Sequence, residues 1–281
     1  MREIQAAAIE QAVYDLILEA SYNIGPDVCE AVRRYRDAEP SPTGRAVLNQ
    51  LLENYQIASA ERVAICQDTG MCVIFLDIGQ DAHICGGDLT ATLNSAVRRA
   101  YADGYLRKSV VRDPLYDREN TRDNTPAVVH TRIVPGDKLD ILITLKGFGS
   151  ENMSRVKMLV PADGEAGVID FVVDAVRQAG PNPCPPVIVG VGLGGVSETA
   201  AELAKRALLR PVGEHHPDPY YAEMESRILE RVNALGIGPQ GLGGTTTALW
   251  VSVNTCGTHI AGMPCAVNLG CHVTRHAHIA L

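Results

Sequence analysis

The stretch Ala127–Leu145, "AVVHTRIVPGDKLDILITL", carries the clearest β signal in the chain. Two runs rich in β-branched residues flank the Pro-Gly-Asp segment at residues 135–137. Strand-like runs separated by a few residues that include Gly are typical of a β-hairpin. The stretch therefore predicts two antiparallel strands that pair with each other across a short turn.

The surrounding sequence predicts both helices and further strands. Residues 5–62 are predicted to be helical, because Ile9, Val13 and Leu16 recur at helical spacing. Other helices are predicted at 89–105, 167–180, 197–209 and 219–235, and other strands at 72–79, 187–192, 248–254 and 264–268. A hairpin, helices and isolated strands without a regular βαβ series predict an α+β fold, also described as mixed α/β. We expect a helical N-terminal segment packed on a mixed sheet, in a single large domain over residues 1–281.

The composition is that of an ordinary globular protein, with 46% hydrophobic and 21% charged residues among 281. A net charge of -8 argues against a nucleic acid or a membrane surface as partner, since both favour a basic patch. A small anionic substrate stays compatible with it, because a few local Arg residues can outweigh a distant net charge. Acidic residues interrupt the apolar N-terminus, so no secretory signal is expected and a cytoplasmic location is predicted.

Two glycine-rich segments imitate nucleotide-binding motifs. "GVGLGG" at residues 190–195 fits G-x-G-x-x-G, but no second strand ending in an acid follows about 20 residues later. It therefore predicts a tight strand-to-helix turn. "GPQGLGGTTT" at residues 238–247 resembles a P-loop but has Gly244 in place of the lysine. Both segments could still present backbone N–H groups to an anion.

The eight cysteines divide into two groups by their surroundings. Cys29, Cys72 and Cys265 lie in helical or β-like runs and are predicted to pack in the core. The other five lie in loops, where they could reach a metal: Cys66, Cys85, Cys184, Cys256 and Cys271. Their spacing is too wide for zinc-finger or ferredoxin patterns, so the fold would have to assemble any metal site. A structural zinc site in the C-terminal part is one alternative, with Cys256, Cys265, Cys271, His272 and His276 as ligands.

Six motifs, in order, carry a resemblance to a known family: "ICQDTG", "KGFGSENMSRVKML", "PNPCPPVIVGVGLGG", "GIGPQGLGGTTTAL", "THIAGMPCAVN" and "CHVTRHAH". Together they resemble the α subunit, or N-terminal module, of class I fumarate hydratase. That family of iron–sulfur hydro-lyases also includes L(+)-tartrate dehydratase. The likeness runs from about residue 10 to the end of the chain.

The resemblance implies a [4Fe–4S] cluster held by Cys66, Cys184 and Cys271. Three thiolates for four irons leave one iron without a protein ligand. That iron would act as a Lewis acid toward a carboxylate and the hydroxyl of the substrate. Under this interpretation Cys85 and Cys256 are no longer candidate ligands.

The resemblance also implies five residues at a small dicarboxylate substrate. Asp68 is a candidate catalytic base, and His259 is expected to handle or orient a proton. Gln67 and Gly149 would form hydrogen bonds to the substrate, and Arg107 would hold a carboxylate. Arg275 and His276 lie beside Cys271 in the sequence and are expected to support the site from behind.

The function implied by the resemblance is reversible hydration of fumarate to L-malate, a reaction of the tricarboxylic acid cycle. The same chemistry on tartrate is the nearest alternative. A metal-binding structural or regulatory subunit without catalysis is an alternative of another class. The family's active site is completed by a second module, so we expect a separate β subunit, a hetero-oligomer, and little or no activity of this chain alone.

Overall fold

In the computed structural model, which describes residues 2–281, the contacts cluster within two units. The first unit comprises residues 2–24, Asn54–Phe148 and Arg275–Leu281, and the second comprises Gly25–Glu53 and Gly149–Thr274. The helices, in chain order, are α1 (Ala6–Tyr22), α2 (Pro26–Ala38), α3 (Pro42–Glu61), α4 (Leu89–Asp103), α5 (Phe148–Glu151), α6 (Gly164–Ala179), α7 (Ser197–Ala207) and α8 (Pro219–Asn233). The strands are β1 (Arg2–Gln5), β2 (Met71–Gly79), β3 (Ala82–Cys85), β4 (Val128–Val134), β5 (Leu139–Lys146), β6 (Arg155–Leu159), β7 (Val187–Gly195), β8 (Ala248–Thr258), β9 (Met263–Gly270) and β10 (His276–Ala280).

This mixture of helices with mixed sheets confirms the predicted α+β class. The predicted N-terminal helices form as α1, α2 and α3, and the later predicted helices and strands also form. Four strands were not predicted: β1, β3, β6 and β10. Each has only four or five residues, too few for a period-2 pattern to stand out. Among residues 2–281, no helix combines the length and the apolar character needed to cross a bilayer.

The predicted hairpin is wrong, although both of its strands form. The sheet order in the first unit is β10-β5-β2-β4, so β2 lies between the two strands. It pairs in parallel with β4 and antiparallel with β5. The reason is burial: residues 72–76 of β2 are all buried, whereas β4 is largely exposed. The most apolar strand takes an interior position in the sheet, and the more polar β4 takes the edge.

The core of the first unit lies between this sheet and the helices α1 and α4. Helix α1 contributes Ile9, Val13 and Ile17, which are all fully buried. They pack with residues of α4 and with alternate residues of β5, such as Ile141 and Ile143. The alternation along β5 and the helical spacing along α1 are the two periods that the sequence displays.

The second unit is built on a sheet of order β6-β9-β7-β8. One face packs against α6 and α8 around Val172, Ile228 and Val267. The opposite face carries Ala266, which packs with Ala200 and Ala204 of α7. Successive residues of β9 therefore face opposite layers, as the pleat of a strand requires.

The "GVGLGG" segment is a place of close packing. A Cβ atom on Gly190 would lie 2.1 Å from the carbonyl oxygen of Ala204, and one on Gly192 would lie 2.0 Å from that of Ala200. These glycines therefore let α7 lie directly against β7. The predicted turn into the helix follows at Gly194 and Gly195, where φ is +104° and +67°.

Candidate active site

The turn at residues 66–70 immediately precedes β2 in the first unit. Gly70 has a φ of +79°, a left-handed conformation that favours glycine. A Cβ atom there would lie 2.8 Å from the carbonyl carbon of Leu145 in β5. The turn is therefore pressed against the sheet at a point where only glycine fits.

Two buried polar side chains hold this turn by donating hydrogen bonds to its backbone oxygens. The hydroxyl of Tyr101, which is fully buried, lies 3.0 Å from the carbonyl oxygen of Thr69 and 2.8 Å from that of Gly70. Burial raises the pKa of Tyr101, so the hydroxyl keeps its proton and acts as a donor. Asn124 is also fully buried, and its Nδ2 donates to the Gly70 carbonyl at 3.1 Å. Sequence reasoning missed both residues, because neither lies in a recognisable motif.

The carboxylate of Asp68 is held by backbone hydrogen bonds at both of its oxygens. Its Oδ1 accepts a hydrogen bond from the Gly70 N–H at 3.1 Å, and its Oδ2 accepts one from the Phe148 N–H at 2.8 Å. A carboxylate has about four lone-pair sites. Two of them are therefore used by backbone donors, and the remaining acceptor capacity stays available to a ligand.

Arg275 supports Asp68 through a hydrogen bond to its backbone. The side chain is 3% exposed, and its Nη1 donates to the backbone oxygen of Asp68 at 2.5 Å. Its backbone oxygen accepts from the Leu145 N–H, so the residue is also tied to β5. A Cβ atom on Gly147 would lie 3.1 Å from Asp68 Oδ2 and 3.3 Å from Arg275 Nη2. These three residues therefore form one closely packed group in the first unit.

The turn brings together four of the predicted site residues. Cys66 is half-buried, and its Sγ lies 3.4 Å from the side-chain oxygen of the exposed Gln67. The hydroxyl of Thr69 donates to the backbone oxygen of Arg107 at 2.8 Å, while the Arg107 residue is exposed. Within the first unit, Cys66, Gln67, Asp68 and Arg107 are thus tied to one turn.

Cys184 lies in a braced loop of the second unit. Its φ is +55°, which is uncommon for a residue with a side chain, and it is exposed. Gln240 holds the loop through its backbone N–H and its Nε2, which donate to the Pro185 oxygen at 2.7 and 3.0 Å. Gly149 approaches the same loop, since a Cβ atom there would lie 3.3 Å from the oxygen of Asn182.

His259 and Cys271 lie at other places in the second unit. His259 is exposed on the connection between β8 and β9, beside a cavity of about 300 Å³ that Cys256 and Tyr221 also line. Its Nδ1 accepts from the Ala261 N–H at 3.1 Å, so the neutral ring carries its proton on Nε2 and can donate it outward. Cys271 directly follows β9 and is half-buried.

The glycine loop at residues 238–247 surrounds a carboxylate of the protein itself. Glu39 is 1% exposed and accepts hydrogen bonds from the N–H groups of Thr245 and Thr246 and from both of their hydroxyls. A Cβ atom on Gly244 would lie 2.6 Å from Glu39 Oε1. The loop does present N–H groups to an anion, as predicted, but the anion is the carboxylate of Glu39 in the same chain.

The cysteines differ in their fitness to bind a metal. Cys72 and Cys265 are fully buried, which raises the pKa of each thiol to about 12 and keeps it protonated. The predicted place in the core is confirmed for these two cysteines but is wrong for Cys29, which is only half-buried. The predicted loop positions of Cys85 and Cys256 are also wrong, since these residues lie in β3 and β8. Cys265 is unsuited to the alternative zinc site. Among residues 2–281, no three His, Cys, Asp or Glu side chains gather in a way that could hold a metal ion.

Comparison with known proteins identifies the family. The family described as "Fumarate hydratase (Fumerase)" matches residues 10–280. The chain belongs to the fumarate hydratase family. It is 38% identical over 275 residues to a protein of Methanocaldococcus jannaschii named "Putative L(+)-tartrate dehydratase subunit alpha", with 96% of each chain covered. It is 36% identical over 253 residues to the L(+)-tartrate dehydratase subunit alpha of Escherichia coli strain K12, covering 89% of this chain and 82% of that protein.

Membership of the fumarate hydratase family confirms the resemblance seen in the six motifs. It also supports a hydro-lyase reaction, the chemistry that fumarate hydratases and tartrate dehydratases share. The individual roles of Gln67, Asp68, Arg107, Gly149 and His259, and the three cysteine ligands, remain predictions.

Proposed function

We propose that this chain is the α subunit of an iron–sulfur hydro-lyase that reversibly hydrates fumarate to L-malate. The observation that carries the proposal is the family match over residues 10–280. The braced turn at residues 66–70 supports it, because this turn presents an amide and a carboxylate beside a half-buried thiol. A cytoplasmic location suits a chain that must keep its catalytic thiols reduced.

The proposed ligands of a [4Fe–4S] cluster are Cys66, Cys184 and Cys271. Their chemistry fits this group, because all three lie outside the helices and strands and none is fully buried. The cluster, when bound, supplies an iron without a protein ligand, a Lewis acid that helps hydroxide to leave. Cys66 belongs to the first unit, and Cys184 and Cys271 belong to the second.

The proposed roles of the other residues follow from their chemistry. Asp68 takes a proton from the carbon next to a substrate carboxylate, using the acceptor capacity that Gly70 and Phe148 leave unused. Arg107 holds a substrate carboxylate with its guanidinium group. Gln67 offers an exposed amide that can form a hydrogen bond to the substrate.

The second unit contributes two further proposed contacts. Gly149 has no side chain, so its backbone N–H can approach a substrate closely. His259 donates from Nε2, because its Nδ1 is occupied by the Ala261 N–H. It therefore serves as a proton donor or as an orienting group for a substrate oxygen.

Tartrate is the second candidate substrate. The specific observation in its favour is that relatives 38% and 36% identical to this chain carry the name of L(+)-tartrate dehydratase subunit alpha. L-Malate, the hydrated form of fumarate, and L-tartrate are both four-carbon dicarboxylates that lose water across their two central carbons. The same roles for Asp68 and Arg107 therefore serve either reaction.

A separate β subunit is the proposed partner. The relatives named as α subunits imply such a chain. In this proposal the β subunit supplies the further cationic side chains that a dicarboxylate needs and part of the acid–base machinery. The assembled enzyme is then a hetero-oligomer, and the α chain alone has little or no activity.

The experiment is anaerobic co-expression of this chain with its β chain, followed by assays with fumarate, L-malate and L-tartrate. The proposal expects turnover of fumarate by the complex and almost none by the reconstituted α chain. Faster turnover of L-tartrate than of fumarate would establish the second candidate. Full activity of the α chain alone would refute the shared active site.

Iron and acid-labile sulfide analysis tests the cluster and the non-catalytic alternative. Cys66→Ala, Cys184→Ala and Cys271→Ala are each expected to lose most of the iron and sulfide. Cys256→Ala is the control, since Cys256 is an exposed cysteine of β8 outside the proposed ligand set, and it should retain both. A protein that binds zinc and contains no labile sulfide would be the structural or regulatory subunit instead.

A further inference from the structure

We propose that the tip of the arm formed by residues 108–121 is a docking point for the β subunit. This inference rests on the proposed function, because it names the surface through which the second chain would join the site. The arm lies entirely in the first unit. It is absent from the motifs that carry the family resemblance and has no role in the reaction proposed above.

The arm is closed into a hairpin by a bridge and several hydrogen bonds. Val111 and Asn120 form an antiparallel bridge. The Arg112 N–H donates to the Glu119 oxygen at 2.9 Å, and the Thr121 N–H donates to the Val110 oxygen at 2.9 Å. In addition, Asn120 Nδ2 donates to the Lys108 oxygen at 2.9 Å. These bonds fix the direction in which the arm projects.

Asp113 organises the tip of the arm. Its Oδ1 accepts hydrogen bonds from the N–H groups of Leu115, Tyr116 and Asp117 at 2.9, 2.5 and 3.3 Å. The backbone hydrogen bonds from Leu115 and Tyr116 hold the pKa of Asp113 below its usual value, so the carboxylate stays ionised and bonded. The backbone that carries the two apolar residues is therefore ordered before any partner arrives.

The ordered tip presents two large apolar side chains to solvent. Leu115 is 87% exposed and Tyr116 is 96% exposed. Adjacent exposed residues of this size on a fixed loop are characteristic of a protein-binding anchor, because a rigid anchor loses little entropy on binding. Charges of both signs surround them, at Arg112, Asp117 and Arg118. Such a mixed rim fits a protein surface rather than a polyanion.

The base of the arm connects it to the candidate active site. Asn124 accepts from the Ser109 N–H at 2.8 Å through Oδ1 and donates to the Gly70 oxygen through Nδ2. Thr69 donates to the oxygen of Arg107, the residue next to the arm. The arm is therefore anchored, through Asn124 and Arg107, to the turn that carries Gln67 and Asp68. The β subunit is the chain that must reach this turn, so it is the occupant we assign.

The test compares two variants of the anaerobically purified α and β chains. Leu115→Ser/Tyr116→Ser removes both apolar anchors, and Ile133→Ser is the control, an apolar residue of the same unit that is 67% exposed on β4. Association of α with β is measured by sedimentation velocity over a range of concentrations. Circular dichroism checks that each variant is folded, which is expected because the tip side chains lack contacts that support the core.

We expect the double variant to weaken association by on the order of tenfold or more, as loss of an interface anchor does, while the control matches the parent. Unchanged association, or equal weakening by Ile133→Ser, would overturn the proposal. The proposal would also be overturned if the double variant lost self-association of the α chain but kept its affinity for β. The arm would then bind a second copy of the α chain. Hydro-lyase assays at a saturating concentration of β distinguish the docking proposal from the proposed function. If the double variant weakens association but no complex, including the parent complex, has hydro-lyase activity, only the proposed function is refuted.

Discussion

Arg275 shows how a residue near the end of the chain can serve a turn some two hundred positions earlier. It is buried, it donates to the Asp68 oxygen at 2.5 Å, and it accepts from Leu145. The sequence places it beside Cys271 and predicts a supporting role there. The structure shows that it also contacts Asp68, because the start of β10 lies next to β5, and the role beside Cys271 stays a prediction.

Replacing Arg275 is therefore expected to impair catalysis through Asp68. In the αβ complex, Arg275→Met should lower kcat by roughly tenfold to a hundredfold with a smaller change in KM, as loss of such supporting contacts typically does. Arg275→Lys, which keeps a donor, should recover part of kcat. Arg177→Met, at an arginine of α6 whose side chain is 58% exposed, is the control. Equal kcat in Arg275→Met and the parent would contradict this role.

Gly70 tests the packing of the turn. Gly70→Ala meets both the left-handed backbone, at a φ of +79°, and the Leu145 carbonyl at 2.8 Å. Gly136→Ala meets a similar backbone cost, at +101°, but no atom within 4 Å. We expect each to lower the free energy of unfolding, by about 1–2 kcal/mol for Gly136→Ala and by more for Gly70→Ala. Urea unfolding measures the difference, and equal losses would show that the contact with Leu145 relaxes at little cost.

At the scale of elements, the glycine loop around Glu39 is the clearest case of a motif with an unexpected occupant. Burial by itself would raise the pKa of Glu39, but the hydrogen bonds from Thr246, Thr245 and Ser41 outweigh it and hold the pKa below its ordinary value. The loop that imitates a phosphate site thus binds the carboxylate at the end of α2. Gly244 of this loop and Gly44 of α3 both lie against the Glu39 side chain, so neither position has room for a Cβ atom.

This contact gives the second unit a specific pH dependence. A folded-state pKa below the unfolded value means that Glu39 stabilises the fold above about pH 4.5 and loses this contribution as pH falls further. Glu39→Gln should therefore lower the free energy of unfolding at neutral pH by about 2–4 kcal/mol and flatten its decline in acid. Glu30→Gln is the control on α2, since that side chain is 75% exposed. Parallel curves for Glu39→Gln and the parent would refute the linkage.

The β elements mark the limit of prediction from local pattern. The runs that became β4 and β5 are recognisable from composition, and so is β2. The order of these strands in the sheet cannot be recognised in this way, because it depends on which strand is buried in the interior of the sheet and which lies at its edge. The Pro-Gly turn that suggested a hairpin is instead bonded to the connection that follows β2: the Asp81 N–H donates to the Gly136 oxygen at 2.9 Å.

At the scale of the whole molecule, the proposed cluster ligands lie apart from both hydrophobic cores. Cys66, Cys184 and Cys271 belong to neither core, whereas Cys72 and Cys265 each belong to one. Metal chemistry and core packing are thus assigned to different cysteines. Removal of the cluster should therefore abolish activity without unfolding the chain.

Oxidation of the αβ complex in air, followed by chelation of iron, tests this separation. We expect fumarate or tartrate turnover to fall to background while the far-UV circular dichroism spectrum is retained. Anaerobic treatment with iron, sulfide and a thiol reductant should restore the activity. Collapse of the helical signal with loss of iron would show that the cluster, rather than the two cores, maintains the fold.

The sequence by itself determined the α+β class, most of the helices and strands, and the family, because each depends on residues that are neighbours along the chain. It also distinguished the core cysteine Cys72 from the candidate ligand Cys66. Cys72 lies in a run typical of a buried strand, whereas Cys66 lies in the polar turn before that run. The tertiary structure alone decided that β2 separates β4 from β5, and that Tyr101, Asn124 and Arg275 hold the turn at residues 66–70. These outcomes depend on burial and hydrogen bonding between distant segments, which only the folded chain brings together.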